Sequence, residues 1–365
     1  MEITAQIIEG IKYKPLLKCE LVEYLVSDFE INSAKSSSLI LQNQDRFAIS
    51  KWVSPKRTRS YPYERVYNTF SVSKRITIIP IIKDEGASGD RDFLQWDTVC
   101  LMSLLDVYVV LAYYETAEKH RTRDEKVTKQ RFNSQFVLDK IREVSNYHSS
   151  ALHWNLKELN NITQILQKVK HSYRAISDKT KVKFHSEKGL DSYVNIVSEN
   201  LTNFMEASRN RSKSAQEREF LTVQPKEILS TLTKAKLTIT NYLGGKYFFT
   251  VDEVRIEEEK LFLIESKHSK NSKLPSLGDI KDGLLKMMLY VNLENVNLGK
   301  TLYKTFPVLK LTSKNLENEI SSNSPKKELE MFLIKNRFNK RQIDLLRNLF
   351  LEANENNFVI SLGEI

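Results

Sequence analysis

The chain has 365 residues, of which 41% are hydrophobic and 10% aromatic, so it has room for two or three folded domains and lacks the composition of a disordered protein. Its 56 Lys and Arg residues against 46 Asp and Glu residues give a formal net charge of +10, which favours a polyanionic partner. The chain has only two cysteines, which excludes a disulfide framework and a cysteine-rich zinc site. It shows no secretory leader pattern and no apolar run of membrane-spanning length, so we predict a cytoplasmic protein with no membrane partner.

Residues 1–125 carry the pattern of a mixed α/β domain. Leu16 to Phe29 is predicted as a helix. Three later segments follow a β-α-β order: strand Ile76 to Ile82, helix Asp92 to Leu105 and strand Val107 to Tyr114. This order predicts a pair of parallel strands. Pro80 predicts that the first of them lies at a sheet edge or is kinked.

Lys51 to Arg75, the basic aromatic segment, combines seven Lys or Arg residues with a single acid, Glu64, and several aromatic residues. Pro55 and Pro62 predict a loop. Cationic side chains neutralise phosphates and aromatic rings stack on bases, so we expect the loop to contact DNA. The residues expected to make these contacts are Lys56, Arg57, Arg59, Tyr61 and Arg65. A solvated surface loop anchored by its aromatic residues is the alternative that the sequence leaves open.

The connection from Lys83 to Asp92 is rich in acidic residues and glycine. Its carboxylates could form a second metal site; they belong to Asp84, Glu85, Asp90 and Asp92. No strand carrying a lysine accompanies them, so we favour a hydrophilic loop that ends in a helix cap.

The middle of the chain is predicted to be mainly helical over residues 126–235. A highly charged stretch from Arg121 to Lys129 predicts the domain boundary that precedes it. Phe132 to Lys234 contains one glycine, Gly189, and one late proline, Pro225. Such long runs without Gly or Pro are typical of helices, because both residues cost free energy in a helix interior.

Residues 236–312 carry a succession of strand and helix patterns. The predicted elements are strand Lys236 to Leu243, strand Lys246 to Ile256, strand Leu261 to Lys267, helix Asp279 to Leu293 and strand Phe306 to Leu311. The polar run Glu257 to Lys260 predicts a hairpin turn between the second and third strands. The result is a three-stranded meander followed by a helix and a fourth strand. Residues 313–365 are predicted as a C-terminal helical segment.

Two carboxylates and a lysine converge in this region. Leu261 to Ile264 is apolar on both faces, so its strand is predicted to lie inside the sheet. Glu265 and Lys267 follow directly and share one strand face, and the hairpin brings Asp252 nearby, with twelve residues between it and Glu265. Charges at the end of a buried strand are costly unless paired, bound to metal or open to a cleft. Such a set can hold Mg²⁺ and position a water for attack on phosphate, whereas an exposed ion pair is the alternative.

These residues resemble a known signature. Asp252 followed by Glu265-Ser266-Lys267 matches the D…(D/E)xK pattern of PD-(D/E)xK nucleases, and the predicted α-β-β-β-α-β order is similar to the core of that superfamily. Lys286 and Tyr290 are similar to the Q-x-x-x-Y motif of its RecB-like members. The sequence departs from the pattern twice, with Val251 in place of the proline before the aspartate and Lys286 in place of the glutamine.

The resemblance implies a role for each matching position. Asp252, Glu265 and the backbone carbonyl of Ser266 would bind Mg²⁺, and Lys267 would orient the attacking water. Lys286 and Tyr290, one helical turn apart, would contact the DNA backbone. Glu253 stays the alternative to Asp252. A further glutamate before the meander, Glu219 or Glu227, would join the site, and the sequence does not choose between the two.

The overall plan is similar to that of a type II restriction endonuclease: a restriction-endonuclease-like C-terminal core with a larger mixed and helical N-terminal region for DNA recognition. We therefore expect a Mg²⁺-dependent enzyme that cuts double-stranded DNA at a specific sequence in phage defence, with a DNA methyltransferase as its genetic partner. A homodimer is one open possibility. A repair nuclease that acts on ends or structures, and a catalytically silent DNA-binding protein of the same fold, are the alternatives.

Overall fold

The structure is a computed structural model that describes residues 1–42, 45–55, 62–199, 234–241 and 246–364. The described helices are α1 (Pro62–Thr69), α2 (Trp96–Leu104), α3 (Ser134–Ser145), α4 (Ala151–Asn160), α5 (Ile162–Thr180), α6 (Glu187–Glu199), α7 (Leu277–Tyr290), α8 (Lys326–Lys335) and α9 (Lys340–Glu355). The first ten strands are β1 (Glu2–Ile7), β2 (Val22–Leu25), β3 (Ser37–Gln42), β4 (Asp45–Lys51), β5 (Lys74–Pro80), β6 (Ile82–Asp84), β7 (Arg91–Phe93), β8 (Tyr108–Ala112), β9 (Tyr114–Lys119) and β10 (Val127–Phe132). The others are β11 (Ala235–Asn241), β12 (Lys246–Val251), β13 (Glu253–Glu257), β14 (Lys260–Ser269), β15 (Glu294–Leu298), β16 (Thr301–Leu302), β17 (Lys304–Ser313), β18 (Ile320–Ser321) and β19 (Val359–Gly363).

The chain forms two compact units. The terminal unit contains Met1–Cys19 and Ser212–Ile365, and the central unit contains Glu20–Arg211. The mixed α and β class predicted from the sequence is confirmed. The division differs from the four predicted segments, because β1 pairs in parallel with β11 and antiparallel with β15 and so joins the two ends of the chain. The boundary predicted at Arg121 to Lys129 instead lies in the hairpin of β9 and β10.

The main sheet of the central unit has the order β2-β3-β4-β5-β8. The predicted β-α-β unit is confirmed as β5, α2 and β8, with the two strands parallel. The edge position predicted for the first strand is wrong, because β5 lies between β4 and β8. Pro80 is the last residue of β5, so its missing N–H falls where the strand ends.

Two helix assignments near the N-terminus need correction. Leu16 to Phe29 is not a helix: the backbone N–H groups of Leu16 and Leu17 donate to the Glu352 carboxylate at 2.8 and 3.0 Å, and β2 follows in the central unit. The loop predicted around Pro62 is instead the start of α1. Proline is well tolerated at the first position of a helix, where its missing N–H would have had no helical partner. Val66 and Tyr67 of α1 are fully buried.

The terminal unit contains two five-stranded sheets, β12-β11-β1-β15-β16 and β13-β14-β17-β19-β18. The strand predicted from Lys246 to Ile256 is broken at Asp252, and its halves β12 and β13 belong to different sheets. The predicted hairpin turn between β13 and β14 is confirmed.

Strand β14 continues into α7 and the chain returns as β17, which pairs in parallel with β14 over ten residues. The segment 313–365, predicted to be helical, contains α8 and α9 but also β18 and β19, which sequence patterns missed and which extend this sheet. Among the described residues, no helix is long and apolar enough to cross a membrane.

Candidate active site

The candidate site lies where β14 passes beneath α7. Leu261, Leu263 and Ile264 are buried, as predicted for an interior strand, and Glu265 directly after them is only 1% exposed. Helix α7 approaches this strand closely at Gly283. A Cβ atom built there would lie 2.7 Å from Leu309 Cδ1 and 3.5 Å from Lys267 Cε, so the absence of a side chain gives the strand residues their space.

Two lysines hold the Glu265 carboxylate. Lys267, on the same strand, places its Nζ 2.9 Å from Glu265 Oε1, and Lys286, on α7, places its Nζ 2.7 Å from Oε2. The Lys286 Nζ also lies 3.5 Å from the Thr250 carbonyl oxygen. The side chains of Lys267 and Lys286 are mostly buried. The exposed ion pair considered from the sequence is therefore not what the chain forms.

Asp252 is placed by the end of β14. It occupies the single-residue break between β12 and β13, and its Oδ2 accepts a hydrogen bond from the Ser266 backbone N–H at 2.9 Å. The site therefore brings together Asp252, Glu265 and Lys267, the three residues that the sequence predicted to converge, and adds Lys286.

The four charged groups shift one another's pKa values. Burial, together with the neighbouring Glu265 charge, raises the pKa of Asp252 to about 7. Burial also opposes ionisation of Glu265, but the two lysines outweigh it and lower the pKa of Glu265 to about 2. Burial would lower the pKa values of Lys267 and Lys286, yet attraction to Glu265 dominates and raises both. Glu265 and both lysines are thus charged at neutral pH, and Asp252 is the group that loses a proton there.

Glu253 lies on the sheet face opposite to the one that carries Glu265 and Lys267. Its Oε2 is 3.8 Å from Lys310 Nζ on β17, and Lys310 is opposite Ser266 in the β14–β17 register. The side chain of Ser266 alternates with those of Glu265 and Lys267, so Glu253 and Lys310 are on the face away from the site. The geometry favours Asp252 over Glu253 as the second carboxylate. Glu219 and Glu227 lie outside the described residues.

The contacts with the DNA backbone that we predicted for two residues of α7 require correction. Tyr290 is fully buried and cannot reach a DNA backbone from this position. Lys286 is bound to Glu265 instead of projecting from the surface. Sequence reasoning missed this pairing, and the only signal for it was indirect: a buried glutamate followed by one lysine still has a carboxylate oxygen that needs a partner.

Of the five residues of the basic aromatic segment that we expected to contact DNA, the structure describes only Arg65. Lys56, Arg57, Arg59 and Tyr61 lie outside the described residues. Arg65 is on α1 and not on a loop, and its Nη1 donates to the Lys51 carbonyl oxygen at 2.9 Å.

The acidic residues before α2 form hydrogen bonds or ion pairs with other groups of the protein. Asp84 accepts from the Gly86 N–H and contacts His185 Nδ1, each at 2.9 Å. Glu85 pairs with Lys83 and Lys126, and Asp92 accepts from Ser54. Throughout the described part of the chain, no group of three or more acidic, histidine or cysteine side chains is arranged to hold a metal ion. The helix cap that we favoured is also not formed, because Gln95 at the start of α2 makes no side-chain cap.

The donor atoms of the site fit Mg²⁺ better than a softer metal. Asp252, Glu265 and the Ser266 carbonyl offer oxygen only, and Mg²⁺ is commonly bound by one or two carboxylates completed by water and substrate phosphates. A carboxylate has about four lone-pair positions, and the two lysines occupy only one on each oxygen of Glu265. An added cation would also offset the repulsion that raises the pKa of Asp252.

Comparisons of the chain with models of known protein families, with curated proteins and with solved structures found no match.

Proposed function

We propose that the protein is a Mg²⁺-dependent DNA endonuclease that hydrolyses phosphodiester bonds at a specific sequence, in the manner of type II restriction enzymes. The observation that carries the proposal is the buried Glu265 carboxylate held between Lys267 and Lys286, with Asp252 beside it. Three of these residues, Asp252, Glu265 and Lys267, match the D…(D/E)xK signature.

Energetics support a functional reading of this cluster. Buried charges are expensive, and replacing a buried ion pair by well-packed apolar residues is often neutral or stabilising. A cluster that served stability alone would have no need of Asp252, whose pKa burial and the Glu265 charge raise to about 7. Strongly shifted pKa values combined with a specific charge partner are typical of active sites.

The order of elements gives further support. From β13 to β17 the chain forms an antiparallel hairpin with β14, then α7, then the strand β17 parallel to β14; β15 and β16, which come between α7 and β17, belong to the other sheet. The order of β13, β14, α7 and β17 is similar to the β-β-α-β part of the PD-(D/E)xK core. Asp252 lies at the break between β12 and β13, and Glu265 and Lys267 lie within β14.

Each side chain has a distinct task in the proposed reaction. Asp252 and Glu265 would hold the cation with the Ser266 carbonyl. Mg²⁺, when bound, would neutralise phosphate charge and make a coordinated water more acidic. Lys267 would orient the attacking water and stabilise negative charge that develops on the phosphate. Lys286 fixes the Glu265 carboxylate from the helix side, so the ligand keeps one orientation.

The proposal is tested by digestion. Purified protein is incubated with plasmid and unmethylated phage DNA, in parallel with Mg²⁺ and with EDTA. We expect discrete, reproducible fragments with Mg²⁺ and intact DNA with EDTA. A smear or shortening from ends alone would support a repair nuclease, and absence of any cleavage with Mg²⁺ or Mn²⁺ would overturn the enzymatic proposal.

A further inference from the structure

The hairpin of β9 and β10 forms a two-stranded antiparallel ribbon in the central unit, which we call the ribbon (residues 114–132). Its inner face is apolar: Tyr114, Ala117, Val127 and Phe132 are buried, and the rings of Tyr114 and Phe132 stack with centroids 4.5 Å apart. Strand β9 also packs against α5. The ribbon is therefore a supported element with one face available to solvent.

The tip of the ribbon has an excess of basic residues: from residue 119 to residue 126 it carries four Lys or Arg residues against two acids, Asp124 and Glu125. From Lys119 to Arg123 it carries three cationic residues and one histidine with no acid between them. Lys119 is neutralised by Asp124 at 3.0 Å. Arg121 and Arg123 are exposed, and neither side chain forms an ion pair or hydrogen bond with any residue that the structure describes. Two arginines two positions apart are thus free to bind an external anion.

A cleft lies along the ribbon, next to its tip. It has a volume of about 400 Å³, and the residues that line it include the charged or polar side chains of Lys83, Glu85, His120, Lys126 and Lys129. Glu85 lies 2.7 Å from both Lys83 and Lys126, and its pKa is lowered because these bonds outweigh burial. Lys129 pairs with Glu118 at 2.8 Å, so the three lysines exceed the two glutamates by one positive charge, and His120 of the tip lines the same cleft.

The hairpin is fixed to the loop that carries Gly86. The Val127 N–H donates to the Glu85 carbonyl at 2.8 Å, and the Ser88 N–H donates to the Glu125 carbonyl at 3.2 Å. Gly86 has φ of +96°, and a Cβ atom there would lie 2.5 Å from the Glu125 carbonyl oxygen. Close packing at this left-handed glycine anchors the residues that directly follow the ribbon tip, and an anchored tip loses less conformational entropy on binding a ligand.

We propose that the ribbon is a binding surface for double-stranded DNA, with Arg121 and Arg123 as its principal contacts. A two-stranded ribbon is narrow enough to enter the major groove of B-form DNA, which is about 12 Å wide. Arginine can bind a phosphate or the O6 and N7 atoms of guanine through two donors. The deep and narrow major groove of duplex RNA does not admit such an element. The assignment of DNA as the partner rests on the proposed function, whereas the charge and shape of the ribbon do not.

The test compares two double variants of the full-length protein. Binding to a fluorescent DNA duplex is measured in EDTA at several salt concentrations. Arg121→Ala with Arg123→Ala should weaken binding at least about tenfold near 0.1 M salt, and should reduce the slope of log affinity against log salt by about 1.8, since each phosphate contact contributes about 0.9. Arg121→Lys with Arg123→Lys should keep most of the affinity if phosphates are bound, and lose sequence preference if a base is bound.

The matched control is Arg142→Ala. Arg142 is an exposed arginine of the same unit that already pairs with Asp139 at 3.3 Å, so its removal should leave affinity and salt slope unchanged. Wild-type binding by the alanine double variant, or a preference of the wild-type protein for duplex RNA or anionic vesicles, would overturn the ribbon proposal. Wild-type cleavage with an inert ribbon would leave the proposed function standing. DNA binding through the ribbon without any cleavage would support the ribbon proposal and overturn the proposed nuclease function.

Discussion

At Glu265 a single carboxylate is shared by two ammonium groups in a buried position. Removing this carboxylate would leave two mostly buried lysines without their partner, and breaking a buried pair typically costs about 3–5 kcal/mol. A dead Glu265→Ala variant would therefore be ambiguous, because loss of folding and loss of a metal ligand have the same readout. Asp252 is the better residue for separating chemistry from stability.

We predict that Asp252→Asn loses DNA cleavage at least about a hundredfold, the scale expected for removing one preorganised electrostatic group. Folding should persist, because an amide resembles the protonated acid and can still accept from the Ser266 N–H. Cleavage of plasmid DNA and thermal unfolding check the two parts. Glu253→Gln is the control, since Glu253 faces Lys310, and it should cut within about threefold of wild type. Full activity of Asp252→Asn together with a dead Glu253→Gln would reassign the metal ligand.

Asp252→Asn should also remove a loss of folding stability that the metal-free wild-type protein suffers as the pH rises. The pKa of Asp252 rises on folding from 3.8 to about 7, so the folded state holds a proton that the unfolded state releases between these values. Wild-type stability contributed by this group therefore falls as pH rises from about 4 to about 7 and stays constant above. In EDTA, Asp252→Asn should gain unfolding temperature relative to wild type over that range. A difference that does not change between pH 4 and pH 7 would contradict the shift.

Lys286 stands where the Q-x-x-x-Y motif has glutamine, and substitution of Lys286 tests what this difference means for the site. A glutamine amide can donate to Glu265 Oε2 as the lysine does, whereas a methionine fills the space without a donor. We predict that Lys286→Gln keeps cleavage within about tenfold of wild type, and that Lys286→Met falls at least about a hundredfold. Initial rates at saturating DNA measure the difference. Equal losses in both variants would mean that the positive charge, and not the hydrogen bond, is what the site requires.

At the scale of elements, the approach of α7 to β14 depends on Gly283. Ala in its place would put a Cβ atom 2.7 Å from the fully buried Leu309, so the helix or the leucine must move. We predict that Gly283→Ala lowers the free energy of unfolding by about 1–3 kcal/mol and also reduces cleavage, because Lys286 moves with the helix. Gly189→Ala, at an exposed position of α6, is the control and should be neutral or stabilising. Unfolding temperature and cleavage rate are measured for both.

Local patterns predicted the elements of the site but not their assembly. The apolar run before Glu265, the helical spacing of α7 and the hairpin at Glu258 depend on neighbouring residues and were predicted correctly. The pairing of Lys286 with Glu265 joins residues that are 21 positions apart, on a strand and on the helix that follows it, and no periodicity encodes it. The break at Asp252 was missed because the residues on both sides form one uninterrupted β pattern.

For the whole molecule, the first strand was the least predictable feature. β1 lies in the middle of its sheet, with Ile3 opposite Leu237 on one side and Leu298 on the other. Such pairings bring together residues that are far apart in sequence, and loop closure of this size leaves no local signal. The terminal unit therefore depends on a segment that sequence patterns assigned to a different domain.

This dependence leads to a prediction for the whole chain. Ile3 is buried and Thr4 is exposed on the same strand, so Ile3→Asp and Thr4→Asp place the same charge on opposite faces. Ile3→Asp should unfold the terminal unit and abolish cleavage, because an unpaired charge in an apolar core costs several kcal/mol. Thr4→Asp should retain both. Hydrogen exchange should show β11 and β15 losing protection in Ile3→Asp while α3 to α5 of the central unit keep theirs. Loss of protection in both units would mean that they fold as one cooperative body, and full protection in Ile3→Asp would show that β1 is dispensable to its sheet.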